Sequence, residues 1–296
     1  MNGQEQMEKN KLPLLLGVIG DPIGHSKSPA MHEAALKACG LAGAYLPFHV
    51  KGERLKEAVQ GVAALGFRGI NVTVPHKLDV MKYLDRIDEG ARYIGAVNTV
   101  VNDGGTLTGY NTDGIGYIRS LKEEAVPDLT GKTAVVLGAG GAARGIIYAL
   151  LLERPAHVIV ANRTADKASE LAAEWAHLGR ISGCGLEEAT EYLQAADIVI
   201  NTTSAGMYPH VQETPIDPDL LPGGIVVSDL IYNPLKTELL QRAEMKGCTI
   251  HSGFGMFIYQ GAYAFEHWTG LPAPIEAMRA AVMASMGIAH LNVKGS

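Results

Sequence analysis

The chain has 296 residues, a net charge of -6 and 47% hydrophobic residues, enough for one large packed core or two medium ones and too acidic for nucleic-acid binding by general electrostatics. Cys39, Cys184 and Cys248 form no CxxC pair and the ten histidines show no HExxH spacing, so neither a disulfide framework nor a metal is expected. No apolar run approaches membrane-spanning length, and Met1 to Lys11 lacks a secretory signal's basic start and cleavage site, so a cytoplasmic protein is expected.

After a polar tail over Met1 to Lys11, Leu14 to Ile19 reads as a strand and Pro29 to Cys39 as a helix stopped by Gly40. Ala44 to Val50 reads as a strand, Arg54 to Ala64 as a helix, and Gly69 to Val74 as a third strand. A short strand pair, Ala96 to Val101 and Thr106 to Gly109, turns through Asp103-Gly104-Gly105. This alternation predicts a mostly parallel α/β sheet covered on both faces. A second series starts after Asp113: helix Gly114 to Glu124, strand Thr133 to Leu137, helix Ala142 to Leu152, strand His157 to Ala161, helix Ala165 to Ala176, and strands Ile198 to Asn201 and Ile225 to Asp229. That series is Rossmann-like. Two last helices, Phe257 to Trp268 and Pro274 to Ile288, are expected to return to the first domain. The expected division is 1-113 completed by 253-296, with 114-252 as the dinucleotide domain.

The stretch GINVTVPHK is the most telling in the chain. Alternation puts Ile70, Val72 and Val74 on one face and Asn71, Thr73 and Lys77 on the other, if the strand runs that far. Pro75 cannot donate to a ladder, so pairing is expected to stop there, with His76 and Lys77 at the strand end. The polar row ending in an ammonium suits a small oxygen-rich molecule. Earlier, GDPIGHSKSP offers Ser26 and Ser28 beside a helix N-terminus, a seat for a carboxylate. For Ser28 alone, followed by Pro29, a capping role is the simpler reading; His25 reads as packed or capping. Asn98 presents an amide on a short strand, and Asp113 a carboxylate where a helix cap is equally natural. Gln260 is an amide among apolar neighbours, which demands a partner in the protein or on a ligand.

Between an apolar strand and a helix lies GAGGAAR, Gly138 to Arg144, the context a dinucleotide fingerprint requires. Gly138 permits the tight turn, Gly140 lets the backbone approach a pyrophosphate, and Ala143 takes the third small position. The next strand ends in Asn162-Arg163-Thr164, with Lys167 one turn on, where an NAD enzyme usually places an acidic residue. An Arg fork and a Lys suit a 2′-phosphate, so NADP is expected over NAD.

GDPIGHSKSPAMH, GINVTVPHK, GAVNT, NTDG, GAGGAAR, NRT, SDLIYNP and GFGMFIYQGA stand in the order and rough spacing of the shikimate dehydrogenase family, and the chain resembles that family over almost its full length. The resemblance implies an N-terminal substrate domain, a Rossmann-like NADP(H) domain, and reversible reduction of 3-dehydroshikimate to shikimate in aromatic amino-acid biosynthesis, without a metal. It implies Lys77 as the catalytic residue paired with Asp113, and Ser26 and Ser28 as ligands of the substrate carboxylate. Asn71, Thr73, Asn98, Asp113 and Gln260 would hold ring hydroxyls, with Tyr232 closing the site. The cofactor would lie on Gly138, Ala139, Gly140, Gly141, Ala142, Asn162, Arg163, Thr164, Lys167, Leu230, Gly253 and Met256. Glu33, where the family often has Asn, and His76, where Phe also occurs, depart from the common pattern and touch no assigned role. A monomer or homodimer is expected, with no nucleic-acid or membrane partner. The nearest rivals are a quinate/shikimate dehydrogenase using NAD and a non-catalytic ligand sensor on the same scaffold; the latter would be expected to lack Lys77 or Asp113.

Overall fold

The computed structural model describes residues 12–288; the polar tail expected over Met1 to Lys11 lies outside them. The chain forms two compact units, one running to Asn111 and resuming at Gly261, the other spanning Thr112–Gln260.

In the first unit β1 (Leu14–Gly20), α1 (Ser28–Ala38), β2 (Gly43–His49), α2 (Leu55–Ala64) and β3 (Gly69–Val72) follow the expected alternation. β4 (Arg86–Ile87), α3 (Glu89–Ile94), β5 (Thr99–Asp103) and β6 (Thr106–Tyr110) complete the N-terminal segment. The six-stranded sheet has the order β2-β1-β3-β5-β6-β4. β1 lies parallel to β2 and β3, β4 parallel to β6, and the β3–β5 and β5–β6 pairs are antiparallel. The β5–β6 turn uses Gly104 and Gly105, both at positive φ (62° and 97°), the backbone of a two-residue hairpin loop. On one sheet face Ile19, Ile70, Val72 and Val100 pack with Leu55, Val59 and Val62 of α2. β4, α3 and a 3₁₀ turn over Asp79–Tyr83 carry no clear periodicity in the sequence.

The second unit opens with α4 (Asp113–Glu124), β7 (Thr133–Leu137), α5 (Gly141–Leu152), β8 (His157–Asn162) and α6 (Ala165–Trp175). It continues through β9 (Ile181–Gly185), α7 (Ala189–Leu193), β10 (Ile198–Asn201), β11 (Val226–Asp229), α8 (Glu238–Met245) and β12 (Thr249–His251). Every pairing is parallel and the order is β12-β11-β10-β7-β8-β9, the doubly wound arrangement whose direction reverses between β7 and β10. Strands this apolar need both faces covered. Val136, Val158 and Ile200 pack under α4, α5 and α6, while Val135, Ile159 and Val199 meet α7 and α8. β9, with the sequence ISGCG, has no strand signature. Its Gly183 is required because a Cβ there would lie 2.2 Å from the Ala168 backbone of α6.

α9 (Gly253–Thr269) begins before the expected Phe257, with Gly253 and Gly255 inside the helix. A Cβ at Gly253 would sit 1.9 Å from the Leu230 carbonyl oxygen, and one at Gly255 2.1 Å from Ser120 Oγ. These glycines permit close packing rather than ending a helix. The last helix, α10 (Ile275–Ser285), belongs to the first unit, where it packs on α1 and where Lys27 Nζ donates to the Ser285 carbonyl at 2.9 Å.

Candidate active site

β3 ends at Val72, two residues before the alternation allowed, and Val74 is exposed. Thr73 N–H still bonds to the Ile19 carbonyl of β1, and the chain turns just beyond, where His76 N–H closes on the Thr73 carbonyl at 2.9 Å. His76, expected at an open strand end, is instead buried, with Nε2 2.6 Å from the Val50 carbonyl oxygen. Lys77 follows immediately; its carbonyl accepts from Val97 N–H at 2.8 Å, which ties its backbone to the segment leading to Asn98. Asn98 itself lies in a bend just before β5 rather than on the strand.

At the start of α1 the cap position falls on Lys27, one position earlier than read from the sequence, with Ser28 as the first helical residue and Pro29 as the second. Ser26 Oγ accepts the Ser28 N–H at 3.3 Å, so the earlier serine performs the capping. Ser28 is buried, Ser26 half-buried, and His25 is exposed rather than packed. Asn71 is buried with its side chain engaged. Tyr45 Oη donates to Oδ1 at 2.7 Å, and Nδ2 donates to Asn98 O at 3.2 Å and Thr99 Oγ1 at 3.1 Å. Thr99 Oγ1 in turn donates to Asn98 Oδ1 at 3.0 Å. The first unit therefore brings Asn71 and Asn98 into one hydrogen-bonded group and sets Thr73 and Lys77 on the adjoining turn.

In the second unit Gly138 has φ 112°, a conformation side chains rarely adopt, and a Cβ there would meet Thr202 Oγ1 at 2.6 Å. Gly140 and Gly141 are exposed, and a Cβ on either would meet nothing within 4 Å. Ala142 is exposed and Ala143 fully buried, so the first turn of α5 is open above and close-packed below. Open space at a helix N-terminus with no side-chain cap fits a dinucleotide pyrophosphate. Arg144, in the same motif, is committed elsewhere. It pairs bidentately with Glu174 at 2.9 and 2.6 Å and lies over the Trp175 ring.

At the end of β8, Asn162 Nδ2 donates to the Thr164 carbonyl at 2.9 Å, shaping the turn. Arg163, Thr164 and Lys167 are exposed, and neither cation makes an ion pair among the described residues. Leu230 and Gly253 are in backbone contact, and Met256 packs against the core. Tyr232 stacks on Phe257 with ring centroids 4.5 Å apart, and burial raises its phenol pKa. Asp113 begins α4, with Thr112 at the cap position. Gln260 is internally bonded, Nε2 donating to the Phe257 carbonyl at 2.8 Å and its own carbonyl accepting from Thr112 Oγ1 at 3.0 Å.

Asp229, the carboxylate of SDLIYNP, was not singled out from the sequence. It is fully buried and accepts from Asn201 Nδ2 (3.1 Å), Ile231 N–H (3.0 Å) and Thr237 Oγ1 (2.7 Å). Asn201 also binds Thr203 and Ala205, so the pair shapes both loops leaving β10 and β11. A carboxylate ending an apolar strand was the available signal. Among the described residues no group of three or more His, Cys, Asp or Glu is placed to hold a metal, and no helix is long and apolar enough to cross a membrane.

Comparison with known proteins accounts for this arrangement. Residues 18–100 match the shikimate dehydrogenase substrate binding domain, 120–214 the shikimate / quinate 5-dehydrogenase family, and 253–283 the shikimate 5'-dehydrogenase C-terminal domain. A shikimate dehydrogenase (NADP(+)) of Bacillus cytotoxicus is 48% identical over 273 residues, covering 92% of this chain and 99% of the relative. A shikimate dehydrogenase solved with NADP+ superposes with a TM-score of 0.87 at 44% identity, over 92% of this chain and 96% of the other. The Thermus thermophilus enzyme, solved with NADP(H) and shikimate, gives 0.84 at 36% identity, over 92% and 99%. A six-stranded parallel sheet with an open glycine turn, a mixed sheet carrying NVTVPHK, and identity at this level along nearly the whole length lead to one conclusion: the chain belongs to the shikimate dehydrogenase family.

Proposed function

We propose that the protein catalyses the reversible NADPH-dependent reduction of 3-dehydroshikimate to shikimate, in the cytoplasm and in the service of aromatic amino-acid biosynthesis. The observation that carries this reading is the Gly138–Gly141 turn followed by the exposed Arg163 and Lys167, on a chain that also holds NVTVPHK and SKSP. NADPH, when bound, supplies the hydride that converts the C3 carbonyl to an alkoxide. In this reading the unit that runs to Asn111 and resumes at Gly261 is the substrate domain, and Thr112–Gln260 the cofactor domain.

Lys77, an ammonium, stabilises the developing oxyanion and delivers the proton that completes the hydroxyl; in the reverse direction it acts as the base. Asp113 is the carboxylate that the family resemblance pairs with it. Ser26 and Ser28 bind the ring carboxylate at the start of α1. Asn71, Thr73, Asn98, Asp113 and Gln260 hold the ring hydroxyls, with Asn71 also holding Asn98 in place, and Tyr232 bounds the site. Arg163 and Lys167 neutralise the cofactor 2′-phosphate, with Asn162 and Thr164 shaping the turn. Leu230, Gly253 and Met256 line the cofactor's path. As the functional unit we infer a monomer or homodimer.

Initial rates with shikimate or quinate, each with NADP or NAD, test the proposal. Preference for shikimate with NADP is expected. Quinate turnover with NAD would favour the second activity named for the family matched over residues 120–214 and overturn the role of Arg163. Binding without turnover in all four combinations would make the protein a sensor.

A further inference from the structure

Tyr45 lies on β2, the edge strand of the first unit's sheet, yet it is completely buried. Its ring stacks on His32 of α1, centroids 4.3 Å apart and planes 15° apart, and Trp268 of α9 packs against both rings, 5.2 Å from His32 and 6.1 Å from Tyr45. His32 is equally buried, which pushes its pKa down to about 3 and keeps the ring neutral. Neither His32 nitrogen makes a hydrogen bond of ordinary geometry, although the Asn71 side chain offsets part of that fall. His32 thus offers Tyr45 a flat uncharged face and makes no claim on the phenol proton.

That proton has one destination. The Asn71 amide cannot flip, because its Nδ2 faces the Asn98 carbonyl at 3.2 Å and an oxygen there would meet an oxygen. Oδ1 must therefore face Tyr45, which donates to it at 2.7 Å. Burial raises the Tyr45 phenol pKa well above its ordinary value, so the hydroxyl stays a donor. From Asn71 the chain continues through Thr99 Oγ1 to Asn98 Oδ1 at 3.1 and 3.0 Å. A continuous buried line of hydrogen bonds thus runs from Tyr45 through Asn71 and Thr99 to Asn98, an asparagine assigned to a ring hydroxyl.

We propose that Tyr45 is a positioning residue for substrate: it orients Asn71, and through Asn71 and Thr99 it holds Asn98. The inference rests on the reading of Asn98 as a substrate ligand. Without the Tyr45 hydroxyl, a buried Asn71 oxygen loses its donor and the amide loses its fixed orientation. The cost falls on recognition of shikimate, since no member of the line belongs to the cofactor unit.

The test is initial-rate kinetics on the full chain for Tyr45→Phe, Thr99→Val and the double variant, with thermal melting as the check on folding. Both substitutions keep the shape of the side chain. Tyr45→Phe is expected to raise KM for shikimate about 5- to 50-fold, the loss of one buried hydrogen bond, with kcat within about threefold and KM for NADP unchanged. Because the residues act as one line, the double variant is expected to exceed the worse single by less than about twofold. An unchanged shikimate KM in a folded Tyr45→Phe variant, a parallel rise in KM for NADP, or single effects that multiply would each overturn the proposal. Wild-type turnover beside an unaffected variant removes this inference alone; a wild type that does not turn over shikimate removes the activity on which it rests.

Discussion

Asn201 and Asp229 stand at the same register on neighbouring parallel strands, and the amide of one donates to the carboxylate of the other at 3.1 Å, with both side chains completely buried. Desolvation raises the Asp229 pKa to about 6 despite three hydrogen-bond donors. A carboxyl whose folded pKa exceeds its unfolded value binds protons more tightly when folded. Its stabilising contribution is complete below about pH 4 and is lost as pH rises through about 6. The span corresponds to about 3 kcal/mol. In Asp229→Asn, Thr237 Oγ1 can accept where it now donates, so folding is expected to survive. Urea titrations at pH 4 and pH 7 are expected to show the wild type losing about 3 kcal/mol relative to the variant across that window. An equal difference at both pH values would contradict the assigned titration.

His251, in the same unit, has the opposite sign. Both ring nitrogens are engaged, by Ser120 Oγ at 2.7 Å and Ser228 Oγ at 2.8 Å, and burial lowers its pKa to about 4. Its contribution is present above about pH 6.5 and is lost as pH falls toward 4, again over about 3 kcal/mol. The two groups nearly cancel in the wild type. Asp229→Asn is therefore expected to be the more acid-sensitive protein, which thermal melting between pH 4 and 7 checks directly.

Lys77→Ala is expected to bind shikimate and lower kcat by about two to four orders of magnitude, the usual effect of losing a positioned acid–base group. Near-normal kcat in that variant would remove Lys77 from the chemistry.

Arg163→Ala is expected to raise KM for NADP about 10- to 150-fold and leave KM for NAD unchanged, since a charge-assisted bond to the 2′-phosphate is about 1.5–3 kcal/mol. Arg163 makes no ion pair among the described residues, so its removal strands no buried partner. Equal effects on both cofactors would place the guanidinium elsewhere.

Two glycines separate a cofactor role from a packing role. Gly141→Ala adds a methyl to open space in the first turn of α5 and is expected to leave Tm unchanged or raise it while weakening NADP at least about tenfold. Gly253→Ala drives a Cβ to 1.9 Å from the Leu230 carbonyl oxygen and is expected to cost about 1–3 kcal/mol of stability or more. Melting curves beside NADP titrations of both variants distinguish the two.

What the amino-acid sequence determined by itself was the local frame: alternating strand and helix patterns, the hairpin through Gly104 and Gly105, and the turn at Gly138. These rest on side-chain periodicity and on backbone conformations open to glycine, which act over a few neighbouring residues. The family's motifs, read in order, added the activity. The tertiary structure alone decided that β3 stops at Val72, with the turn beyond it closed by His76 N–H on the Thr73 carbonyl. It alone showed that Gly183 and Gly253 answer to the backbones of Ala168 and Leu230, that Asp229 is buried, and that the Asn71 donors are already engaged. Each of these depends on atoms brought together from distant parts of the chain, and burial, pKa and donor occupancy are properties of that assembled surrounding rather than of a residue and its neighbours.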